Sequence, residues 1–174
     1  MFGLRLQRRS FDFFLQQVTL LHPGLTDDAA LIQAEFGRTL FIYLTRPNKL
    51  EQAISFVKAT QTGLWHRAPD GTEIERLSAP QDPVYDPVAI SGQLADLTAQ
   101  DAEWRGWFDQ QNIQPFTISY NDLAHDPSAV LAAVLHELGL DATLAQGIGP
   151  PVAKLADATS RVWADRFGTE PGGH

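Results

Sequence analysis

The segment Thr39–His66, TLFIYLTRPNKLEQAISFVKATQTGLWH, decides how the chain is read. Five consecutive apolar residues, Leu40 to Leu44, are too few for a helix of ordinary length and include Ile42 and two aromatics, so the run predicts a buried parallel strand. Arg46 falls where that strand ends. Pro47 is expected at the first helical position, where its missing N–H costs nothing, and an amphipathic segment follows. A cation beside the unpaired N–H groups of a helix N-terminus suits phosphate or sulfate. At ~100° per residue, Leu50, Ala53, Ile54, Val57 and Gln61 fall on one stripe and predict the core face. The opposite face holds Asn48, Gln52, Ser55, Ala59 and Thr62, all small or uncharged, while Lys49, Glu51 and Lys58 sit at the flanks. A solvated face would carry Lys and Glu, so this one is expected to be covered by protein or by ligand. Ser55 follows Arg46 by about two helical turns, and the pair can grip one phosphate. The alternative reading makes Arg46 an ion-pair partner at the helix start and Ser55 a small contact residue.

Around this segment the pattern is α/β. Met1 to Gln7 alternates loosely and predicts a short strand. Ser10 is a candidate cap for a helix through about Leu21, and Thr26 for one over Asp27 to Phe36, closed by Gly37. Arg67 to Asp86, with the Asp70-Gly71 turn and three prolines, predicts a loop or small hairpin. Pro87 to Asn112 has the spacing of a long helix, Pro115 to Tyr120 of a strand, and Asp126-Pro127 opens a helix ending at Gly139. A last helix is expected near Asp157 to Phe167. Strand and helix alternate, so the predicted fold is an α/β layer with a mostly parallel sheet. It forms a single domain over residues 1–168, followed by a disordered tail at 169–174.

Composition limits what the protein can bind. With 174 residues and 44% apolar content the chain can build a full core. A net charge of -8 opposes broad attraction to nucleic acid or an anionic membrane, so an anion must be held locally. There is no cysteine, which excludes disulfides and thiolate metal sites and is compatible with a cytoplasmic setting. No apolar run approaches the ~20 residues that span a bilayer. No acidic pair with metal-ligand spacing follows a phosphate loop, so no metal is expected.

The residues Arg46, Lys49 and Ser55 after an apolar strand, followed by Tyr120-Asn121-Asp122-Leu123 and then Asp126-Pro127 before a helix ending in Leu138-Gly139, resemble the 3'-phosphate signature and later strand–helix motif of sulfotransferases that use 3'-phosphoadenosine 5'-phosphosulfate (PAPS). More narrowly, KLEQAISFVKATQTGLWH, Phe2-Gly3-Leu4 and the Asp157…Trp163…Arg166 ending are similar to the bacterial trehalose 2-sulfotransferase family. The resemblance implies a sulfotransferase-like (P-loop-NTPase-like) fold lacking its first strand, and sulfuryl transfer from PAPS to a hydroxyl of a small carbohydrate or glycolipid. It implies Arg46 and Ser55 on the 3'-phosphate and Gln61, Trp65 and His66 near the acceptor. An indole can stack on a sugar face, and His66 is a weak candidate for the proton acceptor. Trp65 as a core anchor and His66 as a capping or loop residue are the structural alternatives.

Members of that family begin with a strand and a Ser/Gly loop around the 5'-phosphosulfate, then a glutamate general base, and neither stands in this sequence. Gly147-Ile148-Gly149-Pro150-Pro151 is no substitute, because its prolines remove the N–H donors a cradle needs. A sheet without that strand has open edges that invite pairing with another chain, so homo-oligomerisation is one expectation. The first functional reading is therefore a carbohydrate sulfotransferase that is incomplete or inactive as this chain alone. The second is a non-catalytic ligand-binding or interaction protein on the same scaffold.

Overall fold

Asn48, not Pro47, starts the central helix. In the computed structural model, which describes residues 2–150, 152–153 and 155–170, the Asn48 side chain accepts from the Glu51 N–H at 3.0 Å and the helix α3 runs Lys49–Thr62. A side-chain acceptor caps a helix better than a proline precedes one, so Pro47 lies in the approach to the helix. Before it, α1 spans Arg8–Leu21, α2 spans Asp28–Phe36 under an Asp27 cap, and β1 spans Ile42–Thr45. Phe2 to Gln7 forms no strand, and the Ser10 hydroxyl donates to the Gln7 carbonyl inside α1. After α3 come β2 (Leu64–Arg67), β3 (Glu73–Arg76), α4 (Pro87–Gln110), β4 (Phe116–Ser119), α5 (Tyr120–His125), α6 (Pro127–Glu137), a 3-10 turn (Ala142–Ala145) and α7 (Ala158–Thr169).

The fold is mixed α/β, as the alternating pattern implies. β1 and β4 pair in a short parallel sheet, and β2 and β3 pair antiparallel as a separate hairpin. The expected buried strand is shorter and less covered than its sequence suggests: Leu40 and Phe41 precede it, and along Ile42–Thr45 exposed and half-buried residues alternate. The passage from Arg67 to Asp86 is a hairpin followed by an extended stretch. Its turn is closed by Asp70 accepting from the Thr72 N–H and by Gly71 at φ 93°.

The residues group into two compact units. One comprises Met1–Tyr43 and Ala99–Thr117. Its core is aromatic: Phe11, Ile32, Trp107 and Phe108 are buried, with Phe14, Phe36, Phe41, Tyr43 and Trp104 packed around them. The Trp107 indole N–H finds a polar partner in Asp28 at 2.8 Å, which lets the ring be buried without an orphaned donor. The other unit comprises Leu44–Thr98 and Ile118–His174, with Ile54, Val57, Ile90, Trp163 and Phe167 at its core. Ala53, Ile54 and Val57 are the buried stripe of α3 that the periodicity predicts, and Ala59 on the polar side is buried too. Thr169 belongs to α7, and Glu170 accepts from Arg166 and Tyr85. Pro151 of the 147–151 break and residues 171–174 of the expected tail lie outside the described residues.

Gly63 joins α3 to the hairpin and accepts no other residue. Its φ of 71° is left-handed, and a Cβ there would stand 2.1 Å from the Ser78 Oγ and 2.7 Å from the Ser78 backbone nitrogen. Its carbonyl also accepts from the Leu77 N–H at 2.8 Å. Gly71→Ala should cost only backbone strain, about 1–2 kcal/mol, because nothing lies within 4 Å of its Cβ position. Gly63→Ala should lose roughly 1–3 kcal/mol more through overpacking, measured by urea denaturation of both variants.

Candidate functional site

The Arg46 side chain is fixed by two partners. Its Nη2 lies 3.1 Å from Glu51 Oε2, and its guanidinium stacks 4.7 Å from the centroid of the Tyr120 ring. Tyr120 follows β4 at the start of α5, where the Ser119 hydroxyl accepts from the Asn121 N–H. The Arg46 side chain is only 14% exposed, and its Nε is buried with no hydrogen-bond partner among the described residues. Gln52 Oε1, on the first turns of α3, is likewise buried and unpartnered. The junction of β1 and α3 thus holds one unused donor and one unused acceptor.

A cleft of about 300 Å³ opens along α3, at the small end of the range for ligand sites. Ser55, Lys58 and Thr62 of α3 form one wall, Arg67 and Arg76 of the hairpin another, and Asp157 and Ser160 at the start of α7 a third. Lys58 crosses between walls: its ammonium donates to Asp157 Oδ1 at 2.6 Å and Ser160 Oγ at 3.0 Å. Asp157 also caps α7 by accepting from the Ser160 N–H. Burial works to raise the Asp157 carboxyl pKa, but the Lys58 ammonium and the Ser160 N–H and hydroxyl outweigh it and hold the group below its ordinary value. Arg76 engages all three of its nitrogens, donating from Nε and Nη2 to Glu73 and from Nη1 to the Thr62 carbonyl. Among the described residues no cluster of three or more His, Asp or Glu could hold a metal.

Of the residues singled out from sequence, Ser55 lines this cleft, while Arg46, Gln61, Trp65 and His66 are not among its lining residues. Both amide ends of Gln61 are occupied, Nε2 donating to the Val84 carbonyl at 3.0 Å and Oε1 accepting from the Val84 N–H at 2.9 Å. Gln61 thereby holds the stretch after β3 against α3. Trp65 sits on β2 in a T-shaped contact with Phe56, ring centroids 5.3 Å apart. His66, also on β2, faces Glu75 of β3, with Nδ1 2.5 Å from the carboxylate and both side chains about half exposed. The sequence reading gives no site role to Lys58, Arg67, Asp157 or Ser160. Lys58 was discoverable, since it follows Ser55 by three residues and shares its side of the helix. Arg67 was not, because its position depends on a bulged hairpin register.

Comparison with known proteins decides the family. The model of the Stf0 sulphotransferase family matches residues 1–170. This chain belongs to the Stf0 sulphotransferase family. It is 31% identical over 159 residues to a trehalose 2-sulfotransferase of Mycobacterium tuberculosis, covering 90% of this chain and 57% of the relative. It is 33% identical over 128 residues to a trehalose 2-sulfotransferase of Mycolicibacterium smegmatis, covering 74% of this chain and 45% of the relative. The chain thus spans about half the length of these relatives. No described helix is long and apolar enough to cross a membrane.

The Lys58–Asp157 pair makes a measurable claim about α7. Asp157→Ala removes both cap and ion pair and should cost about 1–2 kcal/mol, whereas Asp157→Asn keeps the cap and should cost less than about 1 kcal/mol. Because the folded carboxyl titrates below its unfolded value, the wild-type advantage over Asp157→Asn is present above pH ~4 and fades as pH falls through the folded pKa. Urea midpoints of the three proteins between pH 3 and 7 measure both effects.

Proposed function

We propose that this chain binds PAPS at its adenosine 3'-phosphate end through Arg46 and Ser55, and that the intact protein passes the sulfuryl group to a carbohydrate hydroxyl. The observation that carries the reading is the guanidinium of Arg46, held between Glu51 and Tyr120 with a buried Nε that has no acceptor among the described residues. An unsatisfied buried donor costs ~1–3 kcal/mol, and Gln52 Oε1 adds an unsatisfied acceptor at the same helix start. A nucleotide, which carries phosphate oxygens together with N–H and O–H donors, suits both. The Ser55 hydroxyl makes no hydrogen bond within the described residues, so it can donate to a phosphate without giving up a partner.

PAPS, when bound, supplies the sulfuryl group, and this chain's residues bind and orient. The names of the relatives support a carbohydrate acceptor, which the reading takes to be a small sugar or a glycolipid. Trp65 offers an indole at the hairpin for a sugar face. With its Nδ1 engaged by Glu75, His66 can take a hydroxyl proton on Nε2. Gln61 serves the acceptor side by fixing the Val84 stretch. The reading needs no metal, sets the protein in the cytoplasm and allows a homo-oligomer. It further holds that these 174 residues bind the nucleotide without turning it over, since no Ser/Gly phosphosulfate loop is among them.

Calorimetric titration with adenosine 3',5'-bisphosphate tests the assignment. Weak binding by the wild type, weakened a further tenfold to a hundredfold in Arg46→Ala, is expected, since a charged hydrogen bond contributes ~1.5–3 kcal/mol. Equal affinities for the two proteins would remove Arg46 from the site.

A further inference from the structure

Arg67 is the least committed cation of the cleft beside α3. Its nearest carboxylate oxygen, on Glu73, is 3.9 Å away, and that carboxylate is already gripped by Arg76 at 2.5 and 2.6 Å. The Arg67 side chain is 44% exposed, yet its backbone is anchored: its carbonyl accepts from the Ala153 N–H at 2.7 Å, tying the hairpin to the chain before α7. The guanidinium is therefore carried on a fixed base and, among the described residues, has donors to spare.

Across the cleft, the only hydroxyl of α3 on this wall without a hydrogen bond among the described residues is that of Ser55, since Thr62 donates to the Lys58 carbonyl. Among the described residues three cations, Lys58, Arg67 and Arg76, line the space against one carboxylate, Asp157. Glu73 neutralises Arg76 from the hairpin side and is not among the lining residues. In a chain of net charge -8, this is a local excess of positive charge around unused donors.

We propose that this cleft is an oxyanion-binding site, in which Arg67 and the Ser55 hydroxyl take one phosphate or sulfate group against the positive wall of Lys58. A planar guanidinium and a hydroxyl donor match the oxygens of a tetrahedral oxyanion, and Lys58, held in place by Asp157 and Ser160, supplies charge without having to move. The group belongs to one of two sources, a nucleotide phosphate or a phosphorylated or sulfated sugar. The site shares Ser55 with the nucleotide reading above and to that extent rests on it, but it adds Arg67 and Lys58 and does not need Arg46.

Titration of the uniformly labelled chain with inorganic phosphate, against potassium chloride at equal ionic strength, tests it by amide chemical shifts. Saturable shifts at Ser55, Lys58, Thr62 and Arg67 are expected. Their midpoint should rise about tenfold or more in Arg67→Gln and in Ser55→Ala, and should stay unchanged in the exposed-charge control Arg38→Gln. Absence of saturable shifts overturns the proposal, as does a midpoint that Arg67→Gln leaves unchanged. Adenosine 3',5'-bisphosphate and glucose 6-phosphate then separate the sources. Tighter binding of the first assigns the cleft to the donor nucleotide, and of the second to an anionic acceptor. If neither improves on inorganic phosphate, the cleft holds an adventitious ion only and the proposal falls. Binding of glucose 6-phosphate with none of the bisphosphate removes the nucleotide reading while leaving the oxyanion site intact.

Discussion

Burial of Ile54 and Val57 against Ile90, Trp163 and Phe167 sets the rotation of α3 about its axis, and most of the second unit's chemistry follows from that phase. With ~100° between successive residues, a helix whose Ile54 stripe is pinned has Lys58, Thr62, Ser55 and Ala59 centred about a quarter turn away. Those are residues that line the cleft. Ile54 and Ile90 are wholly shielded from solvent, so turning α3 by even one residue would expose a branched side chain worth ~1.5–3 kcal/mol of burial. Trp163 and Phe167 add a second consequence, because packing them against α3 brings the start of α7 alongside Lys58. The Lys58–Asp157 contact is thus placed by the core, and its own electrostatic contribution is secondary.

The electrostatics of the cleft are set by what each carboxylate already holds. Glu73 is bound to Arg76 through both oxygens, and burial opposes but does not overcome the lowering of its carboxyl pKa by that hydrogen-bonded pair. Arg76 in turn donates to the last carbonyl turn of α3 at Thr62, a good place for a cation because unpaired carbonyls collect at a helix C-terminus. The pair Glu73–Arg76 is therefore part of the hairpin's attachment. Asp157 is divided between capping α7 and holding Lys58. After these commitments, Arg67 retains only its long approach to Glu73, and it is the hairpin's geometry, with its bulges at His66, that turns this residue toward the cleft.

What could be read in advance divides along local and non-local lines. The cap at Asp126, the proline opening α6, a last helix near Asp157 and the buried stripe of α3 depend on residues within one or two turns and are legible, whereas the capping role of Asp157 itself is not part of that reading. Pro47 was misplaced because proline and asparagine both favour helix starts and the competition between adjacent candidates is not resolved by preference alone. The Met1–Gln7 alternation suggested a strand, but a strand needs a partner, and residues 2–7 have none among the described residues. Gln61 was read as lying on the core stripe and near substrate. Its amide instead pairs with Val84 across 23 positions, a contact no local pattern encodes. Arg67 and Glu75 were hidden for the same reason, since hairpin register decides what each side chain faces.

The separation of Arg46 from the cleft that Ser55 lines bears on how a nucleotide can be held. Sequence spacing treats the two as one grip, but the Arg46 guanidinium is committed to Glu51 and to the Tyr120 ring, and it is not among the cleft's lining residues. A guanidinium stacked on an aromatic face keeps its in-plane N–H donors available at the ring's edge, so the stack orients Arg46 without exhausting it. Glu51, half exposed, is the weaker of its two restraints, because an exposed ion pair contributes at most ~1 kcal/mol. On the proposed nucleotide reading, a phosphate at Arg46 would compete with Glu51 for Nη2 and, carrying more charge, would have the advantage. The contact with Tyr120 does not involve Glu51, so on that reading the Tyr120 ring, next to the Ser119 cap of α5, would keep Arg46 directed while its ionic partner changed.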